Sequence, residues 1–135
     1  MASGGDKKAV KEDVIGLVSP HAGYVYSGLT AAHGALALCG EAFAKVVLLG
    51  PDHRIGFTGC AVSPVAHYET PLGRIRLHAD AAALRKRGDL FRASPASDRQ
   101  EHSLEVILPF LQHCLPQFEL VPIVMGPCDY DRVAH

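Results

Sequence analysis

The sequence predicts an α/β fold, a mainly parallel sheet flanked by helices. Three observations carry that expectation. Short apolar runs recur at residues 14–18 (VIGLV), 45–49 (KVVLL) and 118–125 (FELVPIVM). Segments with helically spaced apolar residues lie between them. Each run also ends in related punctuation: Ser19-Pro20-His21, Gly50-Pro51-Asp52-His53 and Gly126-Pro127-Cys128-Asp129. Strands that alternate with helices pair in parallel, because the helix supplies the crossover that a parallel connection needs.

Taken in order, residues 1–13 are polar and charged, lack the apolar centre of a secretion signal, and are expected to be a flexible leader. Residues 14–135 are expected to be part of one α/β domain. Residues 14–18 read as a buried strand. Residues 27–39 carry alanines and leucines at helical spacing, with Gly40 as the stop. Residues 45–49 read as a second buried strand, and 60–64 as a shorter third. In residues 68–77, Thr70-Pro71-Leu72-Gly73 predicts a turn, and alternating Arg74, Ile75, Arg76 and Leu77 a half-exposed strand after it. A helix at 80–87 is closed by Gly88, and 94–97 reads as a small-residue loop. Residues 101–115 form an amphipathic pattern, with Leu104, Ile107, Leu108, Leu111 and Leu115 on one stripe and Pro109 as a kink. Residues 118–125 are the last strand, and 129–135 look like the first turns of a helix.

Composition narrows the function. The 135 residues are 48% hydrophobic and 20% charged, with a formal net charge of -1, as in an ordinary globular domain. No basic run supplies the footprint of a nucleic-acid binder, so no nucleic-acid partner is expected. No apolar stretch approaches the roughly 18 residues that suggest a membrane span, and none is expected. With no secretion signal, the expected location is cytoplasmic. Cys39, Cys60, Cys114 and Cys128 include no CxxC pair, so free thiols are expected in a reducing compartment.

The chemistry-bearing residues gather around the strand ends. In open α/β sheets, ligands bind outside the carboxyl ends of the strands. If the strands are parallel, His21, His53 and Cys128 or Asp129 share one edge. Neutral imidazole is a common ligand of iron, copper and zinc, so His21 and His53 are the candidate metal ligands; each also has a plainer reading, as a turn or cap residue. Asp52 either orients an imidazole or caps its own turn. Glu101-His102-Ser103 opens the predicted helix, where free N–H groups favour anions. His102 is therefore a candidate general acid/base, with helix capping by Ser103 or Asp98 as the alternative. Tyr24, Tyr26, Arg54 and Glu101 are candidate substrate-binding residues; the plainer reading makes the tyrosines ordinary half-buried aromatics, Arg54 a solvent-facing cation and Glu101 a charge complementing the helix dipole. His33, His67, His78 and His113 are read as structural or solvated. No GxSxG-type nucleophile motif favours a hydrolase.

Beyond these patterns, five motifs resemble one family. Residues 20–28 (PHAGYVYSG) resemble the Memo-family signature after the first strand. Leu49-Gly50-Pro51-Asp52-His53 resembles its second motif, and Thr70-Pro71-Leu72-Gly73 its middle segment. Residues 101–111 (EHSLEVILPFL) resemble its helical motif, and Pro122-Ile123-Val124-Met125-Gly126 the strand after it. Together they span roughly residues 14–127 in family order. Bacterial and archaeal members are often labelled the B protein of the AmmeMemoRadiSam system. The resemblance implies a phosphorylase/class III extradiol dioxygenase-like fold and a pocket for a divalent transition metal, iron or copper, with zinc a further candidate. It implies His21 and His53 as ligands and His102 beside the pocket. Where the family often has a second His after the position of His53, this sequence has Arg54. Family members are about twice this length, and their later part carries a Ser-Asp-x-x-His stretch and a cysteine ligand. The sequence is thus expected to be the N-terminal part of such a domain, to bind metal weakly, and to self-associate. Two functions compete: a metal-dependent redox enzyme related to the dioxygenases, and a non-enzymatic protein binding a small molecule or peptide in the same cleft.

Overall fold

The spine of the sheet is the apolar run 118–125. In the computed structural model, which describes residues 14–128 and 131, it becomes strand β6 (Glu119–Met125), with every position from Leu120 to Val124 buried. Strand β1 (Lys45–Pro51) lies parallel to it, in register from Lys45 opposite Glu119 to Pro51 opposite Met125. On the other side, the short β2 (Cys60–Ala61) runs antiparallel to β6 and parallel to β5 (Phe91–Arg92). The order is β1-β6-β2-β5, mainly parallel as expected. A continuous apolar run suits a strand flanked on both sides. Pro122 is tolerated in it because β2 meets β6 only at Val124 and Met125.

Helices flank this sheet. Helix α1 (Tyr24–Ala35) runs on into a 3-10 turn, Leu36–Leu38. Helix α2 (Ala79–Lys86) starts where the His78 ring accepts the Asp80 N–H, and Gly88 follows at φ +73°. Two strands, β3 (His67–Thr70) and β4 (Gly73–Arg76), form a hairpin around the predicted turn. Helix α3 (Pro95–Gln100) is followed by a 3-10 turn, Glu105–Ile107, and helix α4 (Leu108–Cys114). The main core lies between α4, the end of α1 and the sheet, around Leu108, Leu111, Leu115 and Leu120. Among the described residues, no helix is long and apolar enough to cross a membrane.

Several expectations need correction. Residues 14–18 are not a strand: they pair with nothing in the sheet, and Ile15 and Val18 are fully exposed. Residues 45–49 do form a strand, but at the edge, so Val47 and Leu49 remain about half exposed instead of buried. The expected strand at 60–64 shrinks to two residues. Residues 94–97, expected as a loop, open α3, because Ser94 caps it and Pro95 occupies its first turn. The helix expected over 101–115 begins only at Glu105 as a 3-10 turn and becomes α-helical at Leu108. Pro109 then sits in the first turn, where its missing N–H costs nothing, and kinks nothing. Two of the four cysteines expected to be free are joined, Cys39 to Cys114, while Cys60 and Cys128 are free. The leader at 1–13 lies outside the described residues, as does the helix expected at 129–135 apart from Asp131.

Candidate functional site

The parallel pairing of β1 with β6 sets the site. Pro51 and Met125 are partners at its last rung, and the Asp52 N–H donates to the Met125 carbonyl at 2.8 Å. The segments Asp52-His53 and Pro127-Cys128 therefore leave from one edge of the sheet. His21 reaches that edge without a strand of its own, from the turn just ahead of α1. Its ring lies against that of His53, with centroids 5.3 Å apart and planes tilted by 38°.

Two carboxylates divide the local work. Asp52 serves its own turn, accepting the N–H groups of Arg54 (3.2 Å), Ile55 (3.0 Å) and Gly56 (2.6 Å). Its partial burial acts to raise its pKa, but these N–H bonds outweigh that and hold it below the usual carboxylate range. The carboxylate that holds His53 is instead Glu101, 48 residues away. Glu101 Oε1 lies 3.1 Å from His53 Nδ1, and Oε2 accepts the His53 backbone N–H. Oε1 also takes the N–H groups of His102 (2.9 Å) and Ser103 (2.8 Å). Burial alone would push this carboxyl up. The hydrogen bonds from His53 and Ser103 overcome it and hold the pKa at about 2, so Glu101 is ionised at neutral pH. A carboxylate accepting at Nδ1 fixes the Nδ1–H tautomer and leaves Nε2 as the imidazole lone pair.

The 101–104 loop is held on the end of β1 by close packing. The Ser103 hydroxyl donates to the Pro51 carbonyl at 2.9 Å. A Cβ on Gly50 would come within 2.7 Å of both Ser103 Oγ and Leu104 Cδ2, so the glycine is what lets the loop sit there. The Gly of the other Gly-Pro pair is needed more strictly: a Cβ on Gly126 would overlap the Phe57 carbonyl oxygen.

The remaining predicted residues are dispersed. His102 turns its ring outward to Glu105, with Nδ1 3.0 Å from Oε2, and is 60% exposed. It precedes the 3-10 turn instead of opening an α-helix, so the expected helix-end electrostatics is weak there. Tyr24 packs edge-on against Phe110, with centroids 5.7 Å apart. Its hydroxyl pKa is raised by partial burial and by the Glu105 charge. Tyr26 and the Arg54 side of the turn face solvent. Glu101, proposed from sequence to bind substrate, is buried beneath His53. Ser103 caps no helix, and Asp98 accepts the Tyr68 hydroxyl at 2.9 Å. His33 and His78 bond backbone groups of their own segments, as structural histidines do.

Beside His21, a cleft of about 680 Å³ opens between residues 14–19 and the edge of β1 that pairs with no described strand. Its walls are mostly apolar, including Leu17, Val47 and Leu49, with Ser103 at the histidine end. Two imidazoles sharing one ion, with metal–nitrogen bonds of about 2 Å at a roughly tetrahedral angle, have ring centroids about 5 Å apart. The His21–His53 spacing suits that, and ionised Glu101 suits the outer partner of a metal-bound imidazole. Among the described residues, however, no group of three or more His, Cys, Asp and Glu gathers to complete such a site. The donors present fit two positions of a coordination shell.

An open, mainly parallel α/β sheet flanked by helices defines the fold class, with two imidazoles meeting outside its strand ends. A profile of the family described as Memo-like protein matches residues 3–135, and the chain belongs to that family. It is 40% identical over 118 residues to a MEMO1 family protein of Saccharolobus islandicus, covering 85% of this chain and 42% of that one. A MEMO1 family protein of Thermotoga neapolitana is 38% identical over 117 residues, with 84% and 42% covered. Protein MEMO1 of Danio rerio is 36% identical over 115 residues, with 82% and 39% covered. The chain thus spans about two-fifths of the length of these curated relatives.

Proposed function

We propose that this chain supplies the two-histidine portion of a metal pocket at the sheet edge, with His21 and His53 as ligands and Glu101 orienting His53. The observation that carries this reading is the facing pair of imidazoles, one of them anchored through Nδ1 by a buried carboxylate. Iron or copper suits imidazole donors, with zinc a further candidate. Such an ion, once bound, would supply Lewis-acid or one-electron chemistry, which is the sense in which a dioxygenase-related redox activity is proposed. The chain's own residues then act around it. Glu101 keeps Nε2 of His53 available, Arg54 offers a cation for an anionic ligand group, and His102, backed by Glu105, handles a proton at its ring. Two imidazoles hold a divalent ion weakly, because each missing protein ligand is replaced by water.

Isothermal titration with Fe(II), Cu(II) and Zn(II) tests this. Micromolar or weaker binding that disappears in His21→Ala and in His53→Ala is the expected result; binding unchanged by both substitutions would overturn it. Oxygen consumption with catechols, measured alongside, separates redox activity from simple metal binding. A second reading, a binding protein for an apolar small molecule or peptide, is favoured by the apolar cleft next to His21. Ligand binding that persists in both histidine variants and shows no oxygen uptake would select it.

A further inference from the structure

We infer that the Cys39–Cys114 disulfide is a redox-operated clamp on α1, and through α1 on the position of His21 beside His53. Cys39 directly follows the 3-10 turn that ends α1, and Cys114 is the last residue of α4; the bond joins positions 75 apart in the chain. Helix α1 has little else to hold it. Its buried residues are Ala31 and Ala35, whose small side chains remove little apolar surface from water, whereas Val25, Tyr26 and Leu29 are exposed. The Tyr24–Phe110 edge contact, the seating of Ala35 and Leu38 in the core cluster that holds Cys114, and Leu17 beside Gly34 add to the attachment. Phe110 and Cys114 lie one helical turn apart on α4, so both ends of α1 depend on one stripe of that helix.

His21 depends on α1 in turn. Residues 14–20 pair with no described strand and rest on the core through Val14 and on α1 itself through Leu17 beside Gly34, so His21 takes its position from the helix beginning three residues later. His53 is fixed separately, by Glu101 and β1. Opening the clamp therefore loosens one imidazole and leaves the other in place. The chemistry is ordinary thiol–disulfide exchange with a dithiol reductant. A thiolate of the dithiol attacks Sγ of the part-exposed Cys39, Cys114 leaves as thiolate and takes a proton, and the second thiol of the reductant displaces Cys39. The protein gains two thiols, and the dithiol becomes a disulfide. A disulfide-form oxidant reverses the step.

The test uses the whole chain. After exposure to glutathione disulfide and then denaturation without reductant, two thiols should titrate, Cys60 and Cys128, or Cys60 alone with one glutathione on Cys128 by mass, and four after dithiothreitol. Amides of α1 should exchange with deuterium at least tenfold faster in the reduced protein, with those of β6 unchanged. The nuclear Overhauser contact between the His21 and His53 rings should be present in the oxidised form and lost in the reduced one. The double variant Cys39→Ser, Cys114→Ser should behave as the reduced form even with oxidant present. Should that variant fold poorly, the oxidised and reduced wild type still provide the comparison. Four titrating thiols after oxidant, or identical α1 exchange and ring contacts in the two redox states, would overturn the clamp. No readout involves a metal, so its outcome is independent of the metal reading.

Discussion

Glu101 Oε1 lies 3.1 Å from His53 Nδ1 across 48 residues of sequence, and this contact commits one of the two ring nitrogens to the carboxylate. The same carboxylate gathers three backbone N–H groups, so it ties the β1 end, the 101–104 loop and the candidate ligand into one unit. Hydrogen bonds to a charged, buried acceptor are worth more than neutral ones.

Replacing that charge tests the unit. Glu101→Gln should lower folding stability by about 3 kcal/mol at pH 7, read by urea denaturation. The pH dependence has a definite sign. The Glu101 pKa falls from its ordinary 4.5 to about 2 on folding, so its contribution is complete above about pH 4.5. It declines as pH drops and is gone once pH falls through about 2. The linked energy is roughly 3 kcal/mol. The stability gap between wild type and Glu101→Gln should therefore close between pH 4.5 and 2. A gap constant over that range would mean that Glu101 is not held ionised by these contacts.

Much of this architecture is legible in the sequence, and the misses have physical causes. Strands β1 and β6 follow from apolar runs closed by Gly-Pro, and the shared edge follows from their parallel pairing. The stripe Leu104, Ile107, Leu108, Leu111 and Leu115 is buried as its spacing implies, although its first turn is not helical. Periodicity reports which side chains go inward; it does not register that the Glu101 to Ser103 backbone bonds the Glu101 carboxylate in place of a helical ladder. The run at 14–18 is apolar enough for a strand, but composition cannot say whether an edge accepts it. Glu101 as the partner of His53, and Cys39 as the partner of Cys114, are contacts between distant segments that no local pattern encodes. The Ser94-Pro95 cap and the Glu101-His102-Ser103 motif were the available signals for α3 and for the carboxylate.

The two Gly-Pro pairs should differ in tolerance. At Gly126 an added Cβ meets backbone, the Phe57 carbonyl, which moves only with its strand connection. At Gly50 it meets mainly side-chain atoms of Ser103 and Leu104. Gly126→Ala should cost more than about 3 kcal/mol or prevent folding, and Gly50→Ala about 1–2 kcal/mol, in the range of overpacking and strain. Thermal melts would check the order. Equal melting temperatures for the two variants would contradict the packing argument.

The free thiols should react unequally. Cys60 is fully buried, and burial together with the neighbouring Cys128 thiol pushes its pKa to about 11. Cys128 is half-exposed. Since the thiolate is the reactive form, iodoacetamide at pH 8 should label Cys128 in the native protein and leave Cys60 unmodified until denaturant is added. Peptide mapping gives the answer; labelling of Cys60 at a comparable rate would show that strand β2 opens far more readily than its burial implies.

The β1 edge gives the last expectation, self-association. β1 pairs with β6 on one side and with no described strand on the other, leaving a row of backbone groups without a ladder. Val47 and Leu49 on that strand are about half exposed, and Ile15 and Val18 across the cleft are fully exposed. An open, apolar edge invites another chain to add a strand, and a lysine placed on such an edge resists it, because pairing would bury the charge. Light scattering should therefore show the average mass rising with concentration in the tens of micromolar. Val47→Lys combined with Leu49→Lys should hold it at the monomer value, with little change in stability because both side chains already reach solvent. Lys substitutions at Val25 and Leu29 on the exposed face of α1 provide the control. If those abolish association and the β1 pair does not, the contact runs through the helix and the edge-strand argument fails.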